Sequence, residues 1–182
     1  MSQLLLMVPV LEVEPYVAQL RAQFDPSAKR GLGAHITVLH ANLTSGRIEQ
    51  TFIERIAARL SSTAPFGYQI TRVARFPGTL YLAAEPAAPF ELLRKRVIAA
   101  LPIGERRQQV TEALVPHVSV VRKSAVDDRE VEIELEATLR RHGPIACMCK
   151  ELALLESSSG VWLPAKQFTL STDRDTSWRG SS

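Results

Sequence analysis

The sequence predicts an α+β fold on a bilobal, pseudo-twofold plan. Two mainly antiparallel sheets carry helices on their outer faces and leave a central cleft. Three observations predict it. The order helix, strand, helix, hairpin occurs twice along the chain, a degenerate internal duplication. The middle strand of each set opens with a histidine, His35 and His117. The composition, 182 residues with 46% hydrophobic and 23% charged, is that of one ordinary globular domain that needs no staple.

The elements follow in order. Gln3 to Val8 is a short apolar run and predicts a strand. The apolar stretch Leu4 to Leu11 contains Pro9 and falls far short of the roughly 20 residues of a membrane span. With no basic segment before it, it is expected to be a buried strand and not a targeting signal. Glu12 to Phe24 carries Val13, Val17, Leu20 and Phe24 at helical spacing, and Asp25-Pro26-Ser27 stops it. His35 to His40 is β-branched and predicts a strand. Ile48, Phe52, Ile56 and Leu60 place one apolar face on a second helix. Phe66 to Phe76 and Thr79 to Ala84 flank Pro77-Gly78, a hairpin signal.

The second half repeats the plan. Phe90 to Leu101 predicts a third helix after Pro86 and Pro89, and His117 to Val121 another strand. Val131, Leu135 and Leu139 line a fourth helix over Asp127 to Arg140. The runs Ile145 to Leu155 and Val161 to Leu170 meet at Ser157-Ser158-Ser159-Gly160. Residues 1–170 are thus expected to form one bilobal domain, with 171–182 a polar tail.

Charge excludes some partners. Eight basic residues face seven acidic ones up to residue 91, and fourteen face twelve after it, so no basic arm announces duplex DNA. Cys147 and Cys149 are one residue apart, too close for an unstrained bridge. A cytoplasmic monomer with no membrane contact is the expectation.

The chemistry lies in a paired motif. His35-Ile36-Thr37-Val38 and His117-Val118-Ser119-Val120 share the pattern His, aliphatic, hydroxyl, aliphatic. Alternation along a strand puts His and hydroxyl on one face and the aliphatics on the other. One such motif alone would be packing; two, each opening the equivalent strand of a repeat, point to a shared centre. Two imidazoles suit phosphodiester cleavage without metal or cofactor, one taking a proton from the attacking water and one giving a proton to the departing oxygen. Thr37 and Ser119 would donate hydrogen bonds to the non-bridging oxygens. His40 stands an odd number of residues from His35 and is expected on the other side of the strand.

On these residues the chain resembles the two-histidine (2H) phosphoesterase superfamily, in its 2′-5′ RNA ligase-like branch. Gly33 to His40 and Val115 to Val121 resemble the two motifs, and Phe76 to Ala84 the central hairpin. The resemblance implies a bilobal fold and metal-independent hydrolysis of 2′,3′-cyclic phosphates, with 2′-5′ ligation or its reverse in some members. It implies that His35 and His117 are the acid–base pair and that Thr37 and Ser119 bind phosphate. The partner would be an RNA end or a small nucleotide. Where the branch often carries a Tyr-Pro-Phe-like turn, this chain has His40-Ala41-Asn42, so that part of substrate choice does not carry over. Two alternatives stay open: a nucleotide- or RNA-end-binding module without turnover, and the same chemistry on a sugar-nucleotide or non-nucleic cyclic phosphate. Which histidine is acid and which is base is also open.

Secondary candidates for substrate binding are Tyr81 and Phe76, as rings that could stack on a base, and Arg75, as a phosphate contact. Each also has a plain packing or solvated reading. Lys29-Arg30 and Arg106-Arg107 are read as solvated loop charges, and Cys147-Met148-Cys149 with His142 as buried thiols and not a metal site. Gly31-Leu32-Gly33 lacks the third glycine of a dinucleotide loop, and no Gly-Lys-Ser/Thr loop supports ATP-dependent ligation.

Overall fold

The computed structural model describes residues 3–42, 48–101, 114–122, 128–157 and 160–171. Arg106-Arg107 and all of the expected tail except Ser171 lie outside these residues. In chain order the strands are β1 (Gln3–Pro9), β2 (His35–Asn42), β3 (Phe66–Phe76), β4 (Thr79–Glu85), β5 (His117–Arg122), β6 (Ile145–Cys149), β7 (Glu151–Ser157) and β8 (Leu163–Thr169). The helices are α1 (Glu14–Phe24), the single-turn α2 (Pro26–Lys29), α3 (Gln50–Leu60), α4 (Ala88–Ile98) and α5 (Arg129–His142). None of the described helices is long and apolar enough to cross a membrane.

The α+β class is as the sequence predicts, but the two expected sheets are one. Eight described strands pair antiparallel in the order β6-β3-β4-β5-β2-β1-β7-β8. The halves join where β2 meets β5, at the bridge Ile36–Val118. The two histidine strands lie side by side, so edges that would have bordered a gap hydrogen-bond instead. The predicted run Ile145 to Leu155 also breaks in two: β6 pairs with β3, and β7 with β1 in the other half. The buried positions mark the break. Cys147 and Cys149 are odd-numbered, Leu152 and Leu154 even-numbered, and Lys150 lies between. The parity changes where the chain leaves the β3 ladder for the β1 ladder.

Local chemistry sets the helix limits. Pro15 occupies the first turn of α1, where its missing N–H costs nothing. Asp25 is extended before Pro26 and ends the helix. Its Oδ1 then accepts the Ser27 N–H at 2.9 Å and caps α2. Gly78, at φ +72°, makes the tight β3–β4 turn.

The core backs the two histidine strands. Helix α1 packs on β5 and α4 on β2, so each central strand is covered by a helix from the other half. Ile36, Val118 and Val120 are fully buried with Val17, Phe90 and Val97. Each such side chain contributes roughly 1.5–3 kcal/mol by leaving water. A smaller cluster, Leu5, Met7, Leu32, Leu155 and Trp162, forms on the opposite face of β1 and β7. It fixes Trp162 and the loop before β2 against the sheet.

Candidate active site

The two central strands carry the same exposure pattern. In β2 and in β5 the first six residues run half-buried, buried, half-buried, buried, buried, exposed. Alternation fails at the same place in both. Leu6 pairs with Leu39 but Met7 with Thr37, so Val38 is an extra residue against β1. Leu80 pairs with Val121 but Tyr81 with Ser119, so Val120 is extra against β4. These are β-bulges, and a bulge inverts the phase of all that follows. His40 and Arg122, each five residues after its histidine, are turned back to the face that strict alternation denies them. The expectation for His40 is therefore corrected: it lines the cleft.

That cleft is a cavity of about 550 Å³ bordered by His35, Thr37, His117 and Ser119, with Arg122, His40, Arg30 and Trp162. Counting outward from Ile36–Val118 in an antiparallel register sets His35 level with Ser119 and Thr37 level with His117. All four side chains of the paired motif border one space.

Both imidazoles are held alike. His35 Nδ1 lies 2.7 Å from Gly33 O, and His117 Nδ1 lies 2.7 Å from Val115 O. A carbonyl only accepts, so each Nδ1 carries the proton and each Nε2 offers its lone pair when the ring is neutral. Burial pushes His35 down to about 4, with Arg21 and Arg122 adding to the fall against the Gly33 bond and Asp25. Burial, and then Arg122, also lowers His117, against the Val115 bond. The free protein thus holds both rings neutral near pH 7. Between pH 6.5 and 4 the unfolded chain binds a proton at residue 35 that the folded chain does not, so stability falls as pH falls. At about 1.4 kcal/mol per pH unit the loss is roughly 3 kcal/mol by pH 4. Urea unfolding at pH 7 and pH 4.5 should show a drop roughly 2–3 kcal/mol smaller in His35→Asn than in the parent. Equal drops would contradict this.

Two supports hold the motif from behind, and neither was legible in the motif itself. The Ala34 N–H donates to Glu14 Oε1, fixing the residue before His35. A Cβ on Gly33 would stand 2.8 Å from that carboxylate oxygen. Under β5, Arg21 is fully buried. Its Nε donates to Ser119 O at 3.1 Å, and its Nη2 to Asp25 Oδ2 at 2.9 Å and Ser27 Oγ at 3.3 Å. The Ser27 hydroxyl donates to Asp25 Oδ2 at 2.7 Å. Arg21 and Asp25 stand in the i, i+4 relation of a helical ion pair, the one signal the sequence offered.

Comparison with known proteins settles the family. The family model of the 2′-5′ RNA ligase superfamily matches residues 9–161, which include both histidine motifs. The chain belongs to this superfamily. Its fold is also that of several solved structures. TT0787 of Thermus thermophilus is 18% identical with a TM-score of 0.65, over 92% of this chain and 97% of that one. E. coli LigT, solved with 3′-AMP, is 16% identical with a TM-score of 0.61, over 93% and 98%. LigT solved with NADP+ gives 13% and 0.59, over 93% and 98%. No curated protein is a significant match by sequence.

The remaining candidates separate within this superfamily member. Tyr81 is buried and stacks on Phe76 with centroids 4.2 Å apart. Phe76 presents its ring edge-on to His117 at 5.1 Å, and Tyr81 meets it at 5.1 Å. These two rings border the imidazole, and neither is among the residues lining the cavity. Arg75 is not among the lining residues either: it is paired with Asp128 at 2.8 Å and Glu132 at 2.7 Å, which tie β3 to α5. Its guanidinium is engaged by those two carboxylates. Cys147 and Cys149 are buried thiols, both pushed up to about 12 by burial. His142 packs on Tyr16 at 5.1 Å. Of the loop pair Lys29-Arg30, Lys29 is exposed and Arg30 lines the cleft. Arg122 is the lining cation that sequence reasoning missed, and Arg30 is one it read as a solvated loop charge.

Proposed function

We propose that the protein is a metal-independent phosphodiesterase acting on a 2′,3′-cyclic phosphate, or a 2′-5′ linkage, of an RNA end or small nucleotide. The observation that carries this reading is the matched pair of imidazoles, each with its Nδ1–H tied to a carbonyl and both beside Thr37, Ser119 and Arg122 in one cavity.

In the reaction, water attacks phosphorus and gives its proton to one neutral imidazole. The P–O bond to one ribose oxygen breaks, and the other imidazole, entering as imidazolium, delivers its proton to that oxygen. The product is a phosphomonoester beside a free hydroxyl, and the protons balance between the two rings. A ribose hydroxyl in place of water gives the ligation direction. The Thr37 and Ser119 hydroxyls donate to the non-bridging oxygens as charge grows there, and the Arg122 guanidinium offsets that charge. The phosphate anion also raises the affinity of both rings for a proton, so the bound substrate supplies the charge that lets one ring act as acid. LigT solved with 3′-AMP, ATP and NADP+ supports a nucleotide as the ligand class.

The direct test is incubation with 2′,3′-cyclic nucleotides, reading whether a 2′- or a 3′-phosphate forms; unchanged substrate over the whole set would overturn the reading. The pH dependence is a second. Both histidines sit below their ordinary value in the free protein, so the bell of kcat/KM should centre below pH 6.5. The kcat bell, which reports the complex, should lie at higher pH. Both should survive excess EDTA. A kcat/KM maximum above pH 7, or EDTA inactivation reversed by a divalent ion, would count against the mechanism.

A further inference from the structure

Resting on the phosphodiester reading above, we propose that Arg30 and His40, braced on Trp162, form a second phosphate subsite that holds the 5′-phosphate of the nucleotide whose cyclic phosphate reacts.

The reacting phosphate is already served by the two histidines, the two hydroxyls and Arg122. The cavity, at about 550 Å³, falls in the range that encloses a whole small molecule, about 300–1,000 Å³. Beyond the reacting centre it holds a braced cation, Arg30, beside the His40 imidazole. The bulge at Val38 turns His40 inward. The Arg30 guanidinium lies over the Trp162 indole, 5.5 Å from the ring centroid, and His40 meets the same ring edge-on at 5.8 Å. Trp162 is itself buried in the small cluster with Leu5 and Leu32. Its backbone N–H donates to Arg30 O at 3.0 Å, and Arg30 Nε donates to Gly160 O at 2.7 Å. The fork is thus held at its base, while its two Nη groups carry the other four N–H donors.

Trp162 is the scaffold of this wall and not a stacking platform, because Arg30 covers a face of the ring. The wall therefore reads charge. Asp25 is the carboxylate among the lining residues, and it is already engaged by Arg21 and Ser27. Nothing anionic among the described lining residues is left to answer Arg30. Burial first, and then Arg122 and Arg30, lowers the affinity of His40 for a proton. A planar fork beside an imidazole suits a bidentate oxyanion, and on the phosphodiester reading that oxyanion is a phosphate. Five residues of bulged strand separate His35 from His40, roughly 15 Å along β2. Side chains reaching inward from both ends leave a gap on the scale of one nucleotide, from its cyclic phosphate to its 5′ end.

The 5′-phosphate can be a terminal monoester, as in a small nucleotide, or the diester to a preceding nucleotide, as in an RNA end. Three substrates distinguish them: a 2′,3′-cyclic nucleoside with a free 5′-hydroxyl, its 5′-monophosphate, and a dinucleotide ending in the same cyclic phosphate. At least one 5′-phosphorylated form should show a kcat/KM tenfold or more above the 5′-hydroxyl form, mainly through KM. That ratio should collapse toward one in Arg30→Gln and in His40→Phe. Calorimetry reads the subsite without turnover: adenosine 2′,5′-bisphosphate should bind at least tenfold tighter than the 2′-monophosphate, and Arg30→Gln should remove the difference. Turnover of all three substrates at equal efficiency, or a ratio unmoved by both variants, would overturn the subsite. Absence of any turnover would instead overturn the reading it rests on, and the binding comparison would still decide the subsite.

Discussion

Replacing His35 or His117 with Ala should lower turnover of a cyclic nucleotide by about 10³-fold or more, while leaving the protein folded. A positioned general acid or base contributes typically 10²–10⁴-fold, and neither role has a substitute among the groups that face the reacting phosphate. The rings do little for stability. Each makes one neutral hydrogen bond to a carbonyl two residues back, and each sits half-buried over a core that the aliphatic face of its strand supplies. His117 has more to lose, since Phe76 and Tyr81 pack against it. His117→Asn, which keeps a polar group near the Val115 carbonyl, controls for that. The two effects should not add. Once one ring is gone, proton transfer is broken, and removing the second should cost less than a further tenfold. Single variants with more than a tenth of the parent kcat, or a double variant worse by the product of the singles, would sink the two-histidine mechanism. Thermal unfolding supplies the control for misfolding.

The motif was legible because strand alternation is an exact period of two, and His-x-Thr and His-x-Ser each stay within one pleat. The same rule failed three residues later. Val38-Leu39 and Val120-Val121 put two buried residues in succession, and that doubling is the trace a bulge leaves in sequence. Read for that break, His40 and Arg122 would have been found on the cleft side. The surroundings of Arg75 and Tyr81 were not legible for another reason. Their surroundings depend on tertiary partners: α5 in one case, and in the other Phe76 and His117. The split at Lys150 was legible in principle, because the apolar positions change parity there. The joining of two halves into one sheet was not, since a strand says nothing of which neighbour takes its second edge.

Arg21 is the least expected of the supporting residues, and breaking its ion pair should have the largest effect on stability. In α1 it stands four residues after Val17 and three before Phe24, a charged residue on the apolar stripe itself. The structure buries it there, because the end of α1 faces β5, and the Ser119 carbonyl accepts its bond. Arg21→Met would leave the Asp25 carboxylate buried without its cation and the Ser119 carbonyl without that bond. Breaking one side of a buried pair costs about 3–5 kcal/mol. For a chain of this length that lowers Tm by about 6–20 °C, at about 2–4 °C per kcal/mol. Stability alone does not show what the pair is for, so a second variant separates the roles. Arg21→Met with Asp25→Asn removes both charges and keeps the Oδ1 acceptor that caps α2, and removing a buried pair whole costs far less than breaking one side of it. It should regain at least half of the lost stability. It should not regain activity, because nothing then ties β5 to α1 at Ser119, whose hydroxyl the proposed mechanism sets on the phosphate. The expected result, measured well below the Tm of each variant, is a kcat about tenfold below the parent with KM little changed. That split is the mark of a positioning residue, since a purely structural one would return its rate with its stability. A stable double variant at full kcat would reduce the Arg21–Asp25 pair to a packing feature of the helix end.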